Sequence, residues 1–259
     1  MASPVALITG SARGIGREVA RTLAARGWTV VASARTLEAA RAVAEEEGGE
    51  GKSFVPLELD VERQGSVQDA AHHVQALGMK LDVLINNAAH FETGWTQPLF
   101  DKTMNVNFYG PVHTMRAFSP LLVDGGRIVN VASWFGQLHQ ISQPYRDAVT
   151  SCNSIEELIS NIKFNAMDGD MRATAHSCYK LSKACLIRAT GFAAQDPDLV
   201  QRNIKVFAVC PGWVRTQMGG PSATRSVPEG AASVLALVDP KEEHVSGGFY
   251  RDGKPMSID

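Results

Sequence analysis

A short apolar run, Val5 to Ile8, leads directly into the glycine-rich turn Thr9-Gly10-Ser11-Ala12-Arg13-Gly14-Ile15-Gly16, and a stretch of helical spacing starts inside that turn. Strand, tight glycine turn and helix in this order form the phosphate-binding corner of a βαβ unit, which confines the chain to a parallel α/β architecture. Gly10 permits the sharp reversal, Gly14 lets backbone approach a pyrophosphate, and Gly16 lets helix and strand pack closely. Thr9, Ser11, Arg13 and Ile15 complete the turn, and the N–H groups at the helix start face the anion.

The alternation continues downstream. Runs suited to strands occur at Thr29–Ser33, Phe54–Leu59, Val83–Asn86, Arg127–Ala132 and Lys205–Cys210, several of them apolar almost throughout, as strands covered on both faces are. Helical spacing fills Gly14–Arg26, Leu37–Glu47 and Val67–Leu77. Phe249 and Tyr250 add a last strand. The pattern predicts one doubly wound (Rossmann) domain over residues 1–259: an α/β fold with a parallel sheet of about seven strands and helices on both faces. The rhythm breaks once, at about 137–175. There Ile155, Leu158, Ile159 and Ile162 recur at helical spacing behind Ser154 and Glu157, which are spaced as a capping box. An inserted helical segment packed on the parent domain is expected.

The acid that usually bonds the ribose 2′-OH of NAD, about 20 residues past the turn, is missing. The segment reads Val31-Ala32-Ser33-Ala34-Arg35. Arg35, with Arg13 in the turn, is suited to a 2′-phosphate instead, so NADPH is the expected cofactor. A net charge of −2 offers no basic field for nucleic acid. No cationic cluster suggests a membrane surface, and no apolar run is long enough to span one. Met1-Ala2-Ser3-Pro4 lacks the start of a signal peptide. Cys152, Cys178, Cys185 and Cys210 have no metal-ligand spacing and are too sparse for a disulfide framework, so no metal and a cytoplasmic location are expected.

Tyr179 and Lys183 stand four residues apart in Tyr-Lys-Leu-Ser-Lys. On a helix they share a face, with Cβ atoms about 6 Å apart. A free phenol has a pKa of about 10, and a neighbouring ammonium lowers it toward the range useful for proton transfer. Taken alone, a Tyr/Lys pair at this spacing is common on helix surfaces.

The motifs in order resemble the short-chain dehydrogenase/reductase family over nearly the whole chain. Thr9, Gly10, Gly14 and Gly16 match its cofactor turn, and Asp60, followed by Val61, its adenine-contacting acid. Asn86-Asn87-Ala88-Ala89 matches its N-N-A-G motif except at the last residue, a change that removes no chemical group. Val106-Asn107-Phe108-Tyr109-Gly110 frames its active-site asparagine and favours Asn107 over nearby Asn105. Ser133 matches its catalytic serine, Tyr179 and Lys183 its Y-x-x-x-K, and Pro211-Gly212 through Val214 to Thr216 its nicotinamide-contacting segment. The resemblance implies that Tyr179 donates a proton to a carbonyl oxygen and that Ser133 hydrogen-bonds that oxygen. Lys183 tunes the phenol and holds the ribose, and Asn107 positions a relay water. Each residue also has a plain alternative: Ser133 ends a strand, Asn107 caps a turn and Asp60 caps the next helix.

The long insertion between Ser133 and Tyr179, with Cys210–Met218 and Ala223–Ala231, resembles the monomeric carbonyl reductases. That implies NADPH-dependent reduction of small ketones, aldehydes or quinones. It also implies a monomer, because an extra helix would cover the surface through which the family commonly assembles. A hydroxysteroid or other alcohol dehydrogenase and a noncatalytic NADPH-binding regulator stand as alternatives. Trp134, Phe135, Trp213 and Met218 flank the motifs as pocket-wall or core residues. Cys178 and Cys210 adjoin them as targets of electrophiles or as small buried fillers.

Overall fold

The computed structural model describes residues 3–49, 53–239 and 243–259. Residues 1, 2, 50–52 and 240–242 of the single domain expected over 1–259 lie outside the described residues. The first half of the chain alternates strictly: β1 (Val5–Ile8), α1 (Gly14–Ala25), β2 (Thr29–Ala34), α2 (Leu37–Glu47), β3 (Ser53–Glu58), α3 (Gln64–Ala76) and β4 (Leu81–Asn86). Then come α4 (Gln97–Met104), a π-helical turn (Asn105–Tyr109), α5 (Gly110–Phe118) and β5 (Leu122–Val131). The insertion holds α6 (Gln143–Ser151), α7 (Ile155–Asn161) and α8 (Gly169–Ala173). The chain finishes with α9 (Ser177–Ala193), α10 (Pro197–Gln201), β6 (Lys205–Val209), α11 (Val227–Leu235), β7 (Phe249–Arg251) and β8 (Lys254–Pro255).

The strands form one sheet in the order β3-β2-β1-β4-β5-β6-β7-β8, parallel throughout except for β8. Alternate strand residues serve two cores. Leu7, Val31, Leu84, Ile128 and Val206 face a core shared with α3, α5, α9 and the insertion. Ala6, Val30, Val83, Val129 and Phe207 face the core under α1 and α11. Strand order reverses between β1 and β4, so a crevice opens at their carboxyl ends, where doubly wound proteins bind ligands.

Local chemistry sets the helix starts. The Thr36 hydroxyl accepts from Ala39 N to open α2, and Thr96 does the same for α4 with Leu99 N. Ser226 and Glu229 form a complete capping box on α11. At α7 the expected box forms by half. Ser154 accepts from Glu157 N, but the Glu157 carboxylate reaches past it to Asn153 N at 2.8 Å.

The doubly wound architecture is as expected, and the details differ in two places. The sheet has eight strands, because Asp252 (φ 52) and Gly253 (φ 73) turn the chain back so that β8 pairs antiparallel with β7. An Asp-Gly pair with both residues at positive φ is the standard hairpin signal, and it was present in the sequence. The insertion is three short helices rather than one. Its apolar stripe does pack inward, with Leu158 and Ile162 fully buried in the same core as Leu181 and Cys185. An Arg116–Glu156 ion pair ties α7 to α5, and Arg188 Nη2 on α9 donates to the Cys152 carbonyl at 2.9 Å.

Candidate active site

The catalytic and cofactor residues expected from the sequence lie just beyond the carboxyl ends of strands, in the first turn of α1, in the π-helical turn or on α9. At the crevice the turn after β1 is locked to the segment after β4. Thr9 Oγ1 accepts from the N–H groups of Asn87 (2.9 Å) and Ala88 (3.0 Å). Asn87 Nδ2 donates back to the carbonyls of Thr9 (3.0 Å) and Gly10 (3.1 Å). The glycines are required by proximity. A Cβ on Gly10, which sits at φ 66, falls 3.0 Å from Ala88 Cα, and one on Gly16 strikes the Asn87 amide and comes within 2.6 Å of the Gly10 carbonyl oxygen. Ser11 is fully buried and its hydroxyl donates to the Ser33 carbonyl on β2, so it braces the turn instead of facing the crevice. Ile15 packs on the core beneath α1.

Arg13 and Arg35 are exposed at the crevice edge, and among the described residues neither pairs with a carboxylate. Arg13 Nη1 donates to Gln217 Oε1, and a Cβ on Gly14 would meet Thr216 Cγ2 at 3.3 Å, so the loop after β6 lies against the glycine turn. Pro211 and Val214 are buried, and Gly212 turns at φ 82 beneath the Arg225 side chain. Asp60 is engaged locally. Its carboxylate accepts from Glu62 N (3.2 Å) and Arg63 Nε (3.1 Å), and Val61 is buried against Gly110. These residues fit a dinucleotide: glycines leave room for backbone to approach phosphates, and at the crevice edge two exposed guanidinium groups carry no carboxylate partner among the described residues.

On the other side of β4, Ser133, Tyr179 and Lys183 come together. Ser133 lies two residues past β5 and its hydroxyl accepts from Phe135 N, capping a short turn Trp134–Gly136. That turn rests directly on α9. A Cβ on Gly136 would fall 2.7 Å from the Lys183 carbonyl carbon. Lys183 is buried, donates from Nζ to the Val131 carbonyl at 2.7 Å, and lies 5.6 Å from the Tyr179 ring centroid. Burial pulls Lys183 down to about 7 and pushes the Tyr179 phenol up, with Ser133 opposing that rise and Cys210 adding to it. The sequence reading expects Lys183 to lower the phenol. Here burial outweighs that effect, because it disfavours the phenolate and, with a pKa of about 7, leaves the lysine only partly charged at neutral pH. The phenol is therefore protonated at neutral pH.

Asn107 is fully buried in the π-helical turn, a feature frequent at functional sites. Its Oδ1 accepts from His90 N (2.7 Å), and Nδ2 donates to the His90 carbonyl (2.8 Å) and to Ser182 Oγ (3.0 Å). Ser182 Oγ in turn donates to the Tyr179 carbonyl at 2.8 Å. Asn107 thus ties the loop after β4 to α9 and touches the tyrosine backbone through Ser182, not the phenol. Asn105 is tied into the helix by its backbone alone, its N–H donating to the Asp101 and Lys102 carbonyls and its carbonyl accepting from Gly110 N.

Sequence reasoning missed the aromatic wall. Phe91 meets Tyr179 edge-on at 4.8 Å and stacks on His176 at 4.4 Å, and Phe135 meets the same two rings at 6.4 and 6.1 Å. His176 precedes α9 in the left-handed region (φ 61), held there by Thr93 Oγ1 at 3.0 Å from Nδ1. No spacing rule links these residues, although Phe135 was flagged for its place beside Ser133. Trp134, Trp213 and Met218 are 39, 51 and 43% exposed, which puts them at the surface rather than in the core. Cys178 and Cys210 are buried, and burial pushes the Cys178 thiol up to about 11, so Cys178 is a filler.

Comparison with known proteins agrees with this geometry. The family model for the short chain dehydrogenases matches residues 4–145. The chain is 32% identical to (+)-neomenthol dehydrogenase of Arabidopsis thaliana, with 95% of each protein covered. It is 31% identical to carbonyl reductase [NADPH] 1 of Bos taurus, with 96% of each covered. Among solved structures, salutaridine reductase from Papaver somniferum superposes with a TM-score of 0.81 at 23% identity, covering 95% of this chain and 99% of that one. A short chain dehydrogenase from Burkholderia cenocepacia in complex with NADP does so at 0.73 and 27% identity, covering 95% and 94%. This protein belongs to the short-chain dehydrogenase/reductase family. It is an oxidoreductase with the doubly wound fold of that family.

Proposed function

We propose that this protein uses NADPH to reduce small ketones, aldehydes or quinones to alcohols or hydroquinones. The observation that carries the reading is the junction of Ser133, a protonated Tyr179 and buried Lys183 beside a glycine turn flanked by Arg13 and Arg35. The relatives named carbonyl reductase [NADPH] 1 support both reaction and cofactor. Bound nicotinamide supplies the hydride. Ser133 and Tyr179 hold the carbonyl oxygen by hydrogen bonds, and Tyr179 passes its proton to that oxygen as negative charge grows there. Lys183 holds the nicotinamide ribose. Asn107, by fixing His90 and Ser182, holds the floor on which a relay water sits. Arg13 and Arg35 take the 2′-phosphate, and Asp60 with Val61 lies toward the adenine.

The protein acts as a cytoplasmic monomer. The Arg116–Glu156 and Arg188–Cys152 contacts place the insertion over α5 and α9, closing the surface an oligomer would use. Among the described residues, no helix is long and apolar enough to cross a membrane.

The test is NADPH oxidation over a panel of quinones, aldehydes and ketones, with light scattering on the same sample. Turnover by a monomer is expected. Tight NADPH binding with no turnover of any carbonyl would refute the assignment, and a stable tetramer at micromolar concentration would refute the monomer. The relative named as a dehydrogenase gives alcohol oxidation a second place. That direction needs a base at Tyr179, and burial, which raises the phenol pKa, disfavours it.

A further inference from the structure

Lys180 follows the proposed proton donor and, like Arg13 and Arg35 at the other end of the crevice, has no carboxylate partner among the described residues. Arg225 pairs with Asp252, Arg17 with Glu46 and Glu47, and Arg63 with Asp60. Lys180 itself is half-buried. Its Nζ lies over the Phe135 ring, 5.2 Å from the centroid. Phe135 is two residues past Ser133 and meets the Tyr179 ring edge-on, so the ammonium hangs over the wall of the substrate side, away from Arg13 and Arg35. On a helix, residue 180 is turned about 100° from residue 179. The long aliphatic stem carries the charge back to the aromatic wall.

The surroundings leave that charge uncompensated. The His176 imidazole is the nearest ionisable group on the same helix face. Burial, and then Lys180 itself, holds its pKa below the usual histidine range, so it stays neutral. Glu92, on the facing loop, offers its backbone to His176, while its carboxylate lies 3.3 Å from His90 Nε2. Burial lowers the pKa of Lys180 as well, which marks an ammonium short of counter-charge. Phe91 and Phe135 each stack on His176 beside it, giving a row of half-buried aromatic rings along this wall.

We propose that Lys180 and the Phe91–His176–Phe135 wall form an anion subsite that selects carbonyl substrates carrying a carboxylate on a flat, unsaturated body. This deepens the reductase reading and rests on it. The carboxylate pairs with Lys180 while the aromatic rings take the conjugated part, leaving the carbonyl oxygen to Ser133 and Tyr179.

The test compares 2-, 3- and 4-carboxybenzaldehyde with their methyl esters, so that three spacings between carbonyl and charge are sampled. For the isomer whose spacing fits, kcat/KM for the acid should exceed that for its ester about tenfold, the worth of one charge-assisted hydrogen bond. The acid-to-ester ratio should fall toward one in Lys180→Gln and recover in Lys180→Arg. A ratio near one for all three isomers in the unmodified protein, or a ratio that Lys180→Gln leaves untouched, overturns the subsite. If no aldehyde is turned over, calorimetry of benzoate binding to the NADPH-loaded protein decides. Benzoate affinity lost in Lys180→Gln and regained in Lys180→Arg upholds the subsite while the reductase reading falls. No benzoate binding, or binding indifferent to residue 180, rejects the subsite.

Discussion

At the cofactor end of the crevice, backbone does the work: Thr9 and Asn87 exchange hydrogen bonds with main-chain groups, and glycines keep the surface bare. At the catalytic end, side chains do it, and their charges are suppressed by burial in Tyr179 and Lys183. The first arrangement suits an anion, which seeks N–H groups and exposed guanidinium ions. The second suits a neutral carbonyl, where a protonated phenol in a low-dielectric setting is worth more than a solvated one. On the proposed reading, one sheet carries a charged-ligand site and a proton-donor site on neighbouring strand ends, and mutations at the two should fail in different ways.

The sharpest break between the ends is Tyr179→Phe. It should lower kcat by roughly 10²–10⁴-fold, the range for a lost general acid, while the NADPH dissociation constant stays within about twofold. Stopped-flow reduction and fluorescence titration of the same sample check both halves. Next come two matched glycine variants. Gly136→Ala drives the Ser133 turn off α9 and should cost on the order of 10²-fold in kcat with cofactor affinity kept. Gly16→Ala presses on Asn87 and should weaken NADPH binding instead. Gly65→Ala, whose Cβ meets nothing within 4 Å, is the silent control. If both site glycines lower kcat alone, the division between the ends is wrong.

Arg35→Glu should raise the Kd for NADPH by about 10–100-fold, as the loss of a charge-assisted phosphate contact predicts, and leave NADH nearly unaffected. An unchanged preference dismisses Arg35 from the site. The smallest effect concerns Lys183. Its folded-state pKa of about 7 lies below the ordinary lysine value of 10.5, so the unfolded chain holds more protons between those values. Stability should rise with pH from about 7 toward 10.5, and burial of the ammonium costs most below 7. Urea midpoints should therefore climb with pH more steeply in the unmodified protein than in Lys183→Met. Parallel slopes would mean that Lys183 titrates elsewhere.

How far the sequence could be read depended on the range of the interaction. Helix α2 runs from Leu37 to Glu47 as expected, because its cap Thr36 is local. Strand β5 begins at Leu122, earlier than the expected Arg127, because Gly125 and Gly126 read as a loop in sequence, whereas the strand crosses them as an irregularity: Leu81 pairs with Leu122 and the register shifts before Val83 pairs with Arg127. The catalytic trio was legible through motif order. Its electrostatics were not, since the burial that reverses the expected shift of Tyr179 comes from packing of α9 under the Ser133 turn. The wall of Phe91, Phe135 and His176 joins three distant segments and left no spacing to find.

Gly136 has a consequence for redesign. Because its bare α-carbon seats the Ser133 turn on the Lys183 backbone, serine, tyrosine and lysine travel as one rigid unit. The stretch from Gln137 to Ala175 hangs from that unit like an exchangeable cassette. Grafts from relatives can be spliced there to change what the crevice admits, provided both seams fall between Gly136 and the histidine that opens α9.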